Sequence, residues 1–314
     1  MKTPRFWNDI NICSIFLYPI SLLYLLASKL KFKLQTKVKF NKKIICIGNI
    51  TVGGAGKTPI AIALGRLLIK EGYKIAYVCK NYSGSLKGPI QVNKTHSSKE
   101  VIDEALLLSK TAKTFVAKDR GAAIEGACNE KVDIIICDDG LQNNCFHKDL
   151  SILVIDGKLG FGNSLIFPAG PLREHISSAL ERVDIIFVIG KLNNIMQEQI
   201  KTKKVFYLTP RFYLESQKQE ANYIAFAGIA YPQKFFYALK DVGIVPIEAI
   251  SYGDHYQYSE QEIIDLINRA NQSNAKLITT EKDYARIPKK FYQHIQVLKM
   301  EIDIERGVLK HFRL

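Results

Sequence analysis

The segment GNITVGGAGKT (48–58) carries the most specific chemistry in the chain. Glycines 53, 54 and 56 let backbone amides close around a phosphate, and a helix opening behind them adds its N-terminal dipole. The expected ATP contacts are Thr51, Val52, Gly53, Gly54, Ala55, Gly56, Lys57 and Thr58. Lys57 would reach the β- and γ-phosphates, and the Thr58 hydroxyl would sit on Mg2+. Pro59 falls in the first helical turn, where its missing N–H costs nothing. One departure is visible: Thr51 stands where the G-x-x-x-x-G-K-[ST] pattern has its first glycine.

A second signal is IIICDDGLQ (134–142). An apolar run ending in two carboxylates suits a phosphotransferase that must hold Mg2+ at the end of a sheet. Alone the pattern is weak; coupled to a phosphate loop it is strong. Asp138 and Asp139 are the expected ligands, with Gln142 close enough to join them. TEKD (280–283) does not match the guanine-reading N-K-x-D pattern, so ATP is expected over GTP. LIFPAGPLRE (165–174) ends in Arg173 and Glu174. These fit a surface ion pair as well as they fit contacts to phosphate and metal, and spacing leaves both open. His255 lies beside Asp254 in GDHYQYS (253–259), where a lone histidine is more often structural than catalytic.

These residues need elements to hold them. KIICIG (43–48) reads as a strand, Thr58 to about Glu71 as a helix ended by Gly72, and KIAYVC (74–79) as a second strand. Residues 99–110 and 119–129 read as helices, with strands at 132–139, 150–156 and 183–190. Continuous β-branched runs alternating with helices indicate an α/β fold, a P-loop-type parallel sheet covered on both faces. The polar stretch 217–222 separates this series from a shorter α/β one: strand 222–228, helix 232–241, strand 243–250, helix 259–270 and strand 275–280. A length of 314 residues agrees with more than one domain. The expected units are an N-terminal helix over 1–33, a P-loop domain over 34–210, and a smaller α/β domain over 211–314 that closes on the site.

Charged residues make up 24% and hydrophobic residues 47%, which excludes a disordered chain. Half of the +14 charge comes from Lys29, Lys31, Lys33, Lys37, Lys39, Lys42 and Lys43, a stretch with no carboxylate. It adjoins the uncharged segment 10–28, which meets the lower length limit for spanning a bilayer. A cleaved signal peptide with Lys2 and Arg5 as its basic end lacks a good small-residue cleavage site, and a buried core helix does not explain the lysines. A membrane anchor or interfacial helix does, with the body on the cytoplasmic side. The basic run holds only Phe32 and Phe40 as aromatics, so anionic lipid is a better partner than nucleic acid. Six cysteines without a CxxC pair fit reduced thiols.

Taken in order, GNITVGGAGKTP, VIDEALLL (101–108), AKDR (117–120), DDGLQ, FPAGPLRE, FAGIAYPQKFF (226–236), DHYQYS and TTEKDYAR (279–286) resemble the tetraacyldisaccharide 4′-kinases of Gram-negative lipid A biosynthesis. The resemblance spans nearly the whole chain and tolerates Thr51. It implies a P-loop enzyme moving the γ-phosphate of Mg·ATP to the 4′-hydroxyl of a tetraacyldisaccharide 1-phosphate, giving lipid IVA. The place would be the cytoplasmic face of the bacterial inner membrane, with no protein partner implied. It also implies that Asp103 with His255 activates the hydroxyl, beside Lys57 and Arg173. Glu174 is expected with Thr58, Asp138, Asp139 and Gln142 in the metal set. By pattern alone Asp103 reads as a helix-surface carboxylate. Three motifs depart from the family. CKNYSG (79–84) replaces SRGYG, with Lys80 for arginine. Asn143 replaces a histidine, and IDEA (102–105) replaces GDEP. A partitioning or insertion ATPase would need lysine at Val52, and a non-enzymatic adaptor would have no use for Asp103, the paired aspartates and Glu174.

Overall fold

The structure is a computed structural model that describes residues 4–215 and 221–312. Lys2 and most of the polar stretch 217–222 lie outside the described residues. In chain order the elements are α1 Ile12–Leu34, β1 Lys43–Gly48, α2 Lys57–Lys70, β2 Ile75–Lys80, β3 Ile90–Gln91, α3 Asp103–Leu108, β4 Lys113–Ala117, α4 Arg120–Cys128, β5 Ile134–Asp138 and β6 Leu150–Asp156. There follow α5 Ile176–Arg182, β7 Ile185–Ile189, α6 Asn194–Ile200, β8 Lys204–Leu208, β9 Pro210–Leu214, β10 Asn222–Ala227, α7 Pro232–Asp241, β11 Glu248–Ser251, α8 Glu260–Gln272, β12 Ala275–Thr280, α9 Glu281–Tyr284 and β13 Ile295–Ile302.

Two sheets result. The first runs β3-β4-β2-β5-β1-β6-β7-β8 and is parallel except at β3. The second runs β11-β10-β12-β13-β9 and is parallel except at β9. Parallel strands expose neither face to water, which is why β1, β2, β5 and β7 read as unbroken apolar runs. Alternate residues of β1 divide between the two covers. Ile45 and Ile47 pack in the layer with α2 and α3, while Ile44 and Cys46 pack in the layer with α4 and α5. Gly65 lets α2 lie directly on β2, since a Cβ there would stand 1.9 Å from the Tyr77 hydroxyl. That contact fixes the helix whose first turn closes the phosphate loop. Ile302 at the end of β13, and Ile304, Val308 and Phe312 beyond it, return to pack in the core of the first sheet.

α1 has its apolar surface outward. Its inner face is Ser14, Leu17, Ser21, Tyr24, Ser28 and Phe32, at helical spacing. Ile12, Ile15, Phe16, Leu23, Leu26, Leu30 and Leu34 are exposed. A buried core helix would show the opposite arrangement. The helix is held through polar groups: the Ser21 hydroxyl donates to Ile166 O at 2.8 Å and accepts from Ala169 N–H at 3.1 Å. With 23 residues it is long and apolar enough to cross a membrane.

Two sequence expectations are corrected, and one unassigned segment is placed. The helix expected at 99–110 begins only at Asp103. The strand expected at 243–250 shrinks to Glu248–Ser251, because Pro246 supplies no N–H. KTFVA (113–117), unassigned from sequence, is β4, second from the edge of the first sheet.

Candidate active site

The phosphate loop leaves β1 and closes at Gly56, the N-cap of α2, with φ +84°. Gly53 sits at φ +107°, also in the left-handed region that favours glycine. Thr51 needs no such freedom. It pairs in an antiparallel bridge with Leu172, flanked by Val52 N–H to Pro171 O at 2.8 Å and Arg173 N–H to Ile50 O at 2.7 Å. The loop 165–174 therefore serves as an extra strand beside the phosphate loop, and it delivers Arg173.

Around the loop the expected charges converge. Lys57 Nζ donates to Asn49 Oδ1 at 3.1 Å and stands 3.6 Å from Asp139 Oδ1. Arg173 Nη1 reaches the same carboxylate oxygen at 3.1 Å. Thr58 Oγ1 donates to Asp138 Oδ2 at 3.0 Å, and Asp138 Oδ1 is buried without a partner. Asp139 adopts φ +54°, and Arg120 Nη2 grips the carbonyls of Asp138 and Asp139 at 3.2 and 2.9 Å. Burial raises the Asp138 carboxyl despite nearby Lys57. Burial acts on Asp139 in the same direction, but Lys57, Arg173 and Arg120 override it and hold the group well below the usual carboxylate range. A hydroxyl beside a carboxylate with an unused buried oxygen is the donor chemistry a hard divalent cation takes, so Thr58 and Asp138 fit Mg2+.

Glu174 meets this set through Gln142. Its Oε1 accepts from Gln142 at 2.8 Å, and its Oε2 is ion-paired with Arg182. It lines a separate hollow rather than the main cleft, because residue 174 turns away from the side on which Arg173 lies. Gln142 stands between the two, donating also to Asn49 O at 2.9 Å.

The second half of the site comes from both sheets. Asp103 is not on the helix surface; it is 3% exposed at the start of α3. Its Oδ2 accepts from Arg286 Nε at 2.8 Å and from Arg286 Nη2, and its Oδ1 lies 3.5 Å from His255 Nδ1. His255, at φ +55°, presents Nε2 to the Tyr82 hydroxyl at 3.1 Å. Burial alone would raise Asp103, but the Glu104 and His255 hydrogen bonds and the charges of Lys282 and Arg286 hold it well below the ordinary range. The hydrogen bond to Asp103 raises the His255 pKa against the effect of burial. Glu104, beside Lys282 at 2.6 Å, is pushed by burial to about 7.

Three residues of the site went unassigned in the sequence. Tyr82 caps His255. Arg286 ties Asp103 to Gly228 O at 2.7 Å and to Asp283 at 3.2 Å. Lys234, in the first turn of α7, is ion-paired with Asp156 and reaches Gly54 O at 3.4 Å. All three lie within quoted motifs, yet their signal is contact between residues far apart in sequence.

A parallel sheet with a glycine loop, an invading lysine and strand-end aspartates defines a P-loop phosphotransferase. The sequence profile of the LpxK family, tetraacyldisaccharide-1-P 4′-kinase, matches residues 13–313. Similar proteins include the tetraacyldisaccharide 4′-kinase of Parvibaculum lavamentivorans, 37% identical over 297 residues covering 91% of this chain and 87% of the relative. That of Paramagnetospirillum magneticum is 37% identical over 307 residues, covering 96% and 94%. Among solved structures, LpxK from Aquifex aeolicus in complex with ATP superposes with a TM-score of 0.76 at 25% identity, covering 96% of this chain and 98% of that one. The chain belongs to the tetraacyldisaccharide-1-phosphate 4′-kinase family, and it is an ATP-dependent kinase.

Proposed function

We propose that the protein transfers the γ-phosphate of ATP to the 4′-hydroxyl of a tetraacyldisaccharide 1-phosphate, giving lipid IVA, and that Asp103, His255, Lys57 and Arg173 carry the transfer. The observation that supports this reading best is that His255, backed by buried Asp103, lines the same cleft as the phosphate loop. Lys57 and Arg173 share Asp139 and are placed to turn to phosphate oxygens when nucleotide enters. Thr58, Asp138, Asp139 and Gln142 would hold Mg2+, which when bound neutralises charge on the transferring phosphate. His255 Nε2 accepts the proton of the attacking hydroxyl, and Asp103 fixes the ring and balances the imidazolium. Such general-base help contributes about 10²–10⁴-fold, and positioning and charge stabilisation supply the larger share.

The outward apolar face of α1, with exposed Lys29, Lys31, Lys33, Lys37 and Lys39 at its C-terminal end, supports seating at the cytoplasmic face of the inner membrane, where anionic headgroups and the acylated substrate meet. The body falls into an anchor (1–33), a phosphate-binding unit (34–210) and a closing unit (211–314). The test is incubation of purified protein with Mg·ATP and the tetraacylated disaccharide 1-phosphate, followed by mass analysis. A bisphosphorylated lipid is expected. No such product, with ATP hydrolysis stimulated instead by DNA or protein, would refute the assignment.

A further inference from the structure

The last turn of α1 has two lined sides. Lys31 and Gln35 border the main cleft, whereas Phe32 and Lys37 border a second hollow of about 240 Å3. Phe146 lines the hollow with Phe32, and Lys148 and Arg182 face it with Lys37. Among the described residues Glu174 is the only carboxylate on the wall, and Arg182 already pairs with it. Arg182 also stacks over the Phe32 ring at 4.6 Å, fixing one wall.

Lys148 is the unexplained group. Among the described residues it forms no ion pair; its Nζ donates to Leu141 O at 2.8 Å and lies 5.6 Å from the Phe146 ring centre. Burial lowers the pKa of this ammonium, and the charges of Arg182 and Arg120 act in the same direction. A half-buried cation without a counter-ion, held by one carbonyl and an aromatic ring, favours an anion beside it. The nucleotide chemistry does not use this lysine, and the hollow is too small for an acylated disaccharide.

We propose that this hollow binds the phosphate of an anionic bilayer glycerophospholipid, separate from the substrate. The phosphate rests between Lys148 and Lys37, and the glycerol root of the chains lies along Phe32 and Phe146. The hollow lies at the basic end of α1, where Phe32 and Lys37 line it and Leu30 and Leu34 are exposed on the helix; basic pockets at the cytoplasmic ends of membrane helices take anionic headgroups. The proposal rests on α1 being seated in the membrane.

The test uses full-length protein in neutral detergent, titrated calorimetrically with dihexanoyl phosphatidylglycerol and, separately, with inorganic phosphate. Saturable phosphatidylglycerol binding is expected, weakened at least tenfold by Lys148→Met and several-fold by Lys37→Ser. Without lipid, Lys148→Met should melt at or above the wild-type temperature, because Leu141 O keeps its bond from Arg182 Nη1 at 3.3 Å; Lys37→Ser, on the exposed rim, serves if the methionine variant fails to fold. Phosphatidylglycerol binding unchanged in both variants overturns the proposal. Binding of inorganic phosphate alone, lost in Lys148→Met, overturns the lipid assignment. Partition into neutral phosphatidylcholine vesicles reads α1 by itself. Retained partition without a phosphatidylglycerol effect rejects the hollow and keeps the anchor; no partition rejects the anchor and this proposal with it.

Discussion

Replacing Arg286 with methionine should cost about 3–5 kcal/mol of folding stability, the usual consequence of removing one partner from a buried ion pair. The structure says where the cost falls. Asp283 keeps its bonds from the Tyr258 hydroxyl at 2.8 Å, the Gly228 N–H at 2.8 Å and the Thr280 hydroxyl at 2.7 Å. Asp103 loses both guanidinium bonds and keeps His255, the Glu104 backbone and side chain, and the more distant charge of Lys282. The penalty is therefore mostly that of a stranded Asp103, and Asp103→Asn should relieve it. Urea unfolding of the two single variants and the double variant should give a coupling of roughly 2 kcal/mol, inside the range seen for contacting pairs. The slope m should stay unchanged. The sign with pH is fixed as well. Asp103 is held below its ordinary pKa, so the pair's contribution is complete above about pH 4. It is lost only as acid protonates Asp103 in the folded state. Additivity of the two single costs to within about 0.5 kcal/mol would refute the reasoning, because it would mean that Arg286 and Asp103 do not share their energy.

His255 should titrate above its ordinary value of about 6.5, since its bond to Asp103 raises it. Activity that needs the neutral ring should fall on the acid side of that midpoint, and Asp103→Asn should move the ring titration, followed by proton NMR, to lower pH; an unmoved midpoint would break the link. Lys234→Ala should raise the ATP dissociation constant roughly fivefold, about 1 kcal/mol for a half-exposed charge-assisted contact, while Lys234→Arg keeps most of the affinity. Fluorescent-nucleotide titration checks it, and wild-type affinity in the alanine variant would contradict a role at Gly54.

How much could be read from the sequence varied with the range of the interaction. The phosphate loop and β5 are local patterns, and β1 and β6 stand at the residues the apolar runs mark. β4 escaped because KTFVA is short and bounded by Lys113 and Lys118. β13 escaped because IQVLKMEI mixes polar residues into a half-exposed strand. Asp103 entered only through resemblance to the family, which also lifted His255 above a lone turn histidine, since nothing local distinguishes a helix-start aspartate that meets a histidine 152 residues later. Glu174 is a different case. Its spacing from Arg173 allowed a metal contact, but spacing does not state which side of a loop a residue faces. Its oxygens went to Gln142 and Arg182 instead.

The attachment of α1 has a mechanical consequence. The Ser21 hydroxyl holds both Ile166 and Ala169, and a few residues later the same loop zips onto Thr51 and carries Arg173 to Asp139. Helix, loop and arginine thus form one lever whose long arm is the apolar helix and whose short arm ends at the phosphate. A deletion of α1 slackens the short arm too. Loss of turnover in such a truncation therefore reports a detuned lever as much as a missing anchor; Ser21→Ala, which removes the two hydrogen bonds to the loop but leaves the helix and its Tyr24–Phe167 ring contact, probes the lever by itself.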